Sequence, residues 1–186
     1  SFINGTKPEK GIKNTFSSTK PVPLFLFVGD YDFINVDGNY LINTEVTKDV
    51  SKKLFNNIAD IKKYYEKLFN IDFKDKIYII NHKAVKDLKD SDWGFNTYPS
   101  FGFSNLDFND LLTKDAKFKT HRYKFFAHEF AHNYFGSNVN SGVLSWFWLE
   151  STAEYLSLVA LEDFTNSENV NGYYDYYLSA IEKKEV

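Results

Sequence analysis

His128-Glu129-Phe130-Ala131-His132 is the stretch of this sequence whose residue types and spacing could do chemistry. On a helix, residues four apart share a face, so both imidazoles can reach one ion. Neutral imidazole and carboxylate oxygen suit zinc, and a catalytic zinc site leaves one position for water. Glu129 follows the first histidine, where its carboxylate can meet that water without binding the metal. A plainer reading also fits these residues: two histidines on a core or surface helix. His121 and His82 have no motif around them and suit packing or surface roles better.

A third ligand has to come from another element. Glu150 is separated from His132 by seventeen residues and lies next to the apolar block Trp146-Phe147-Trp148-Leu149. An ionised carboxylate against such a block needs a partner, which a dication supplies. Equally, Glu150 could face solvent from an amphipathic helix, and the residues alone leave both open. Glu154 lies one turn on and is placed to hold the other ring N–H of His128, as carboxylates do behind metal-bound histidines. Its plain alternative is an exposed helix glutamate.

The elements that must position these groups fall into a strand-rich first part and a helical second part. Residues 1–20 are polar and aperiodic, an expected irregular lead-in. Val22 to Val28 suits a short buried strand. Phe33-Ile34-Asn35-Val36, Asp37-Gly38 and Tyr40-Leu41-Ile42 read as a β-hairpin with a type I′ turn. Val50, Leu54, Ile58, Ile61, Tyr65 and Leu68 recur at helical spacing, with Asp49 as expected N-cap and an end near Asn70. Ile77–Ile80 follows as a buried strand, residues 82–98 as loop, and Phe101–Phe108 as a half-exposed edge strand. Helices are expected over Thr120–Phe135, ending against Gly136, over about Leu144–Phe164, and over about Gly172–Lys184. Strands followed by helices indicate an α+β fold.

Two segments together resemble a known family. His128-Glu129-Phe130-Ala131-His132-Asn133-Tyr134-Phe135-Gly136, then Trp148-Leu149-Glu150-Ser151-Thr152-Ala153-Glu154-Tyr155, is similar to the double motif of the aminopeptidase N-type gluzincins. Those proteins read H-E-L-A-H-Q-W-F-G and then W-L-N-E-G-F-A-E-Y. The resemblance implies a thermolysin-like zincin catalytic domain over 21–186, with one zinc ion on His128, His132 and Glu150. It implies Glu129 as general base, taking the proton of the attacking water and passing it to the departing amine. The implied activity is peptide-bond hydrolysis of peptides or proteins, aminopeptidase-like by family default.

The sequence departs from that pattern in three places. The Asn before the third ligand is missing, so His132 must find support elsewhere. An upstream G-x-M-E-N strand, whose Glu grips the substrate's amino group, maps onto Gly102, Ser104 and Asn105 as substrate-binding residues, with Ser104 in place of that Glu. A neutral hydroxyl cannot make the charge-assisted bond that selects an α-ammonium, so an endopeptidase or a zinc-bound peptide-binding module stands as the alternative. The family's transition-state Tyr lies past residue 186. Tyr173, Tyr174, Tyr176 and Tyr177 lie nearest, though a Tyr-rich amphipathic helix is more often core. The chain is therefore expected to be the front portion of a catalytic domain, and its lack of any Met fits an excised piece.

Composition bounds the rest. Aromatics make up 19% of the 186 residues, too many for a disordered chain. Net charge is −3 and Arg122 is the single arginine, with no basic stripe, which argues against nucleic acid as partner. Without cysteine, disulfides and thiolate metal sites are excluded. No apolar run reaches the roughly 18 residues of a membrane span.

Overall fold

The computed structural model describes residues 2–3, 6–11, 25–82, 93–135, 145–165 and 167–183. Over these described residues the fold is α+β, with a mixed sheet beside four helices. Strands β3 (Phe33–Val36) and β4 (Asn39–Ile42) form the expected hairpin, with positive φ at both Asp37 and Gly38. Helix α1 (Lys48–Phe69) then crosses over to β5 (Tyr78–His82), which pairs parallel to β4. Thr47, not Asp49, caps α1: its hydroxyl accepts from the Val50 amide at 3.3 Å. Asp49 sits in the first turn, where its charge suits the helix dipole and Lys53 pairs with it at 2.6 Å. Asn70 ends the helix in the left-handed region at φ 54°, as expected. Leu68, assigned to the apolar stripe, is exposed instead.

Two strands differ from expectation in a way that matters for the site. Part of the expected loop is strand β6 (Trp93–Thr97), antiparallel to β7 (Ser100–Ser104). The sheet order is β3-β4-β5-β7-β6, so β7 lies inside the sheet and β6 forms its end. All five residues of β7 are buried, where a half-exposed edge strand was expected. Trp93-Gly94-Phe95-Asn96-Thr97 alternates large with small or polar residues in the same way as β7. Gly94 pairs with Phe103 and Phe95 with Gly102, so each strand's phenylalanine covers the other strand's glycine.

At the start of the chain, β1 (Phe2–Ile3) pairs with β2 (Leu26–Phe27) in a separate ribbon, which places a strand inside the expected lead-in. Phe25, Leu26 and Val28 are exposed, so the described part of the expected buried strand is a surface ribbon. The core lies between the sheet and the helices, around Leu41, Ile61, Tyr65, Ile79, Phe103 and Phe130.

Helix α2 (Thr120–Ala131) ends four residues earlier than expected, with His132 as its C-cap, and residues 132–135 continue as turns. Gly136 lies outside the described residues. One face of α2 packs Phe126 and Phe130 against Phe103, Phe101 and Phe73. The buried Tyr65 of α1 pins it further, donating its hydroxyl to the Ala127 carbonyl at 3.1 Å. Such a bond contributes about 1 kcal/mol and fixes the rotation of α2 about its axis. Lys124, His128 and His132, spaced by four, therefore share the face opposite the core.

Helix α3 (Ser145–Phe164) matches its expected span, and the fully buried Ala153 lets it approach α2 closely. Helix α4 (Ser167–Glu182) begins five residues before Gly172, inside what was read as a connection. Among the described residues no helix is long and apolar enough to cross a membrane.

Candidate metal centre

Helices α2 and α3 bring their polar residues together across one contact. His128 Nε2 stands 3.2 Å from Glu150 Oε2, and His132 Nε2 stands 3.7 Å from the same oxygen. One ligand atom from each of the three lies within 4.8 Å of the other two, so the group could hold a metal ion. Both rings present Nε2 because Nδ1 is occupied on each. His128 Nδ1–H donates to Glu154 Oε2 at 2.9 Å, and His132 Nδ1–H faces the Phe135 carbonyl at 3.4 Å. The turn after α2 thus supplies the support that the missing Asn left open for His132.

The donors fit a divalent cation on chemical grounds. Although burial disfavours its charge, the hydrogen bond to Glu154 and the charges of Glu129, Glu154 and Glu150 hold the His128 pKa above the ordinary imidazole value. His128 Nε2 already faces Glu150 at 3.2 Å, a place where a dication would carry more charge than a proton does. Burial and the neighbouring His128 lower the His132 pKa, which favours the neutral, ligating imidazole. Glu150 itself is part-exposed, and Trp146, Phe147 and Trp148 point largely to solvent. The apolar block does not bury this carboxylate, so the two imidazoles are what call for an ion beside it.

Glu129 shares two clefts with these residues, lies against β6 and is only 4% exposed. Its Oε2 is buried with no hydrogen-bond partner among the described residues. Burial, offset in part by His128 and reinforced by the Glu150 charge, pushes its carboxyl up to about 7. That value lies where a group can both take and return a proton at neutral pH. Gly94 makes room for it: a Cβ there would lie 2.8 Å from Glu129 Oε1. Asn96 of β6 donates to the Glu129 carbonyl and to Asn133 Oδ1, both at 2.9 Å, which ties the end strand to the helix.

Glu154 is the best-held carboxylate of the set. Burial raises its pKa, but hydrogen bonds from His128, Lys124 and Tyr177 outweigh that and hold it at about 2.

Two clefts open onto the site. One, of about 330 Å³, runs from Glu129, His132 and Glu150 along Gly94–Thr97 to Phe25, Trp146 and Leu149. The other, of about 460 Å³, lies beyond His128 and reaches Trp93, Arg122 and Tyr173.

Of the residues singled out in the sequence, His128, Glu129, His132, Glu150 and Glu154 converge here. Gly102 and Ser104 are buried inside the sheet, and Asn105, at φ 55°, ends β7 with its amide on the His82 carbonyl. None of the three lines either cleft. The strand beside Glu129 is β6, and its signal was the earlier of two Gly-Phe pairs, Gly94-Phe95, eight residues before Gly102-Phe103. Lys124 was missed as a site residue, although it precedes His128 by one helical turn, and Tyr177, weighed only as a transition-state Tyr, instead donates to Glu154.

A pH dependence follows for the metal-free chain. The Glu129 pKa of about 7, against an ordinary 4.5, means that the folded chain binds the proton more tightly than the unfolded one. Stability from this group is fully present below 4.5 and is lost as pH rises through about 7, by roughly 3 kcal/mol. The melting temperature should fall from about pH 5 to about pH 8, and Glu129→Gln should flatten that slope. Equal slopes in the two chains would mean that Glu129 is not buried as described.

No family model matches the chain, and no curated protein matches it.

Proposed function

We propose that this chain is a zinc-dependent peptide-bond hydrolase built on a thermolysin-like zincin domain. One observation carries the reading: two imidazoles and a carboxylate converge on one point while a buried, unsatisfied carboxylate with a raised pKa stands beside them. His128, His132 and Glu150 would hold the ion. Bound zinc supplies a water of lowered pKa and polarises a carbonyl oxygen.

The chain's own residues account for the rest. Glu129 takes a proton from the attacking water and returns it to the departing amine. Glu154 keeps the His128 ring in one tautomer. An extended peptide fits along the terminal strand β6, whose residues 94–97 border the cleft beside Glu129. Phe95, Trp146 and Leu149 on the same cleft offer apolar contact to a substrate side chain.

Cleavage of internal bonds is favoured over aminopeptidase action. The carboxylates lining the two clefts are Glu129, Glu150 and Glu154, and each already has a role in the site. None is left to grip a substrate ammonium among the described residues.

Peptides with free and with blocked N-termini test this on the zinc-loaded chain. Cleavage of both at similar rates is expected. Cleavage of free peptides only would make the protein an aminopeptidase, and bound zinc without any cleavage would make it a peptide-binding module.

A further inference from the structure

Two helices direct side chains at one carboxylate of a third. Lys124 and His128, four residues apart on α2, and Tyr177 of α4 all reach Glu154 of α3. Glu154 Oε2 accepts from His128, while its Oε1 accepts both from Lys124 Nζ at 2.5 Å and from the Tyr177 hydroxyl. Lys124 is held in turn, with Nζ 5.0 Å from the Tyr173 ring centroid and its side chain 15% exposed. Tyr174 and Tyr176, on the other faces of α4, are exposed.

We propose that Lys124 and Tyr177 are positioning residues that lock Glu154, and through it the His128 ring, so that the docking of α4 sets how tightly the metal is held. This rests on the metal-site reading above. A carboxylate turns easily about its last bond, since that torsion is broad. Held by His128 alone, Glu154 could rotate and let the imidazole tilt. An ammonium and a phenol on the second oxygen remove that freedom. The ammonium also offsets a site that carries three carboxylates, Glu129, Glu150 and Glu154. Tyr177 therefore serves as an indirect support to the metal ligand.

Zinc affinity, read by competition with a chromophoric chelator, tests the clamp on the full chain. Loss of a carboxylate behind a metal-bound histidine lowers metal affinity by about 10- to 100-fold, which sets the expectation for Glu154→Gln. Lys124→Met and Tyr177→Phe should each lower it by about 3- to 10-fold, and Lys124→Arg should restore most of the loss. In the Glu154→Gln background, Lys124→Met should have no further effect, because the carboxylate it grips is gone. Tyr176→Phe, on the exposed face, should change nothing.

Circular dichroism and the metal-free melting temperature identify variants that fold. Should Lys124→Met fail to fold, Tyr177→Phe decides alone. Wild-type chain that binds no zinc would defeat the metal-site reading. Zinc bound with unchanged affinity by folded Lys124→Met and Tyr177→Phe would overturn the clamp while leaving that reading intact. Losses that persist in the Glu154→Gln background would overturn it too.

Discussion

Glu129→Gln should leave zinc at full stoichiometry and lower kcat by about 10²- to 10⁴-fold, the range supplied by a positioned general base. The change is isosteric, so the fit beside Gly94 is kept. Glu129 is not among the three ligating groups, so metal affinity has no reason to fall. What is lost is the ability to take a proton. The same substitution removes an ionisable group whose Oε2 has no partner among the described residues, so the metal-free variant should be at least as stable as wild type at neutral pH. Metal analysis, kcat and melting temperature on one preparation check all three. Retained turnover would show that the base is another group.

Gly94→Ala should separate catalysis from folding. The added methyl would meet Glu129 Oε1 at 2.8 Å, and the Phe103 and Phe125 rings at 3.0 Å. The flexible end of the Glu129 side chain yields before two packed rings do. A shift of that carboxylate by about 1 Å can cost about 10²-fold in rate, with little loss of stability. Gly102→Ala offers the contrast. Its methyl would lie 2.2 Å from the Phe95 ring, so it should expel that ring and destabilise the fold by about 1–3 kcal/mol. Kinetics and melting curves on the two variants decide. If Gly94→Ala lost stability and kept its rate, Gly94 would be a packing residue only.

Much of the molecule could be read locally. The hairpin at Asp37-Gly38, the long helix to Asn70 and the span of α3 follow from turn chemistry and periodicity, which act over a few residues. The His-Glu-x-x-His spacing already placed two imidazoles on one face, since helical geometry is local. The N-cap was misassigned because Thr47 and Asp49 both suit that position, and only the chain's approach to the helix chooses between them. Helix α2 stops at His132 although its residues could continue it, and the turn there brings the Phe135 carbonyl back towards the ring.

What the sequence determined by itself was spacing: His128, Glu129 and His132 on one helix with the two imidazoles four apart, and Glu150 and Glu154 one turn apart on the next. Tertiary structure alone decided which strand borders them. Gly94-Phe95 and Gly102-Phe103 read alike along the chain, and only sheet order puts the first pair at the end of the sheet, beside Glu129. It alone brought Lys124 and Tyr177 onto Glu154. Pairing order and helix docking are settled by which apolar faces bury one another across the whole chain, and no local pattern records that choice.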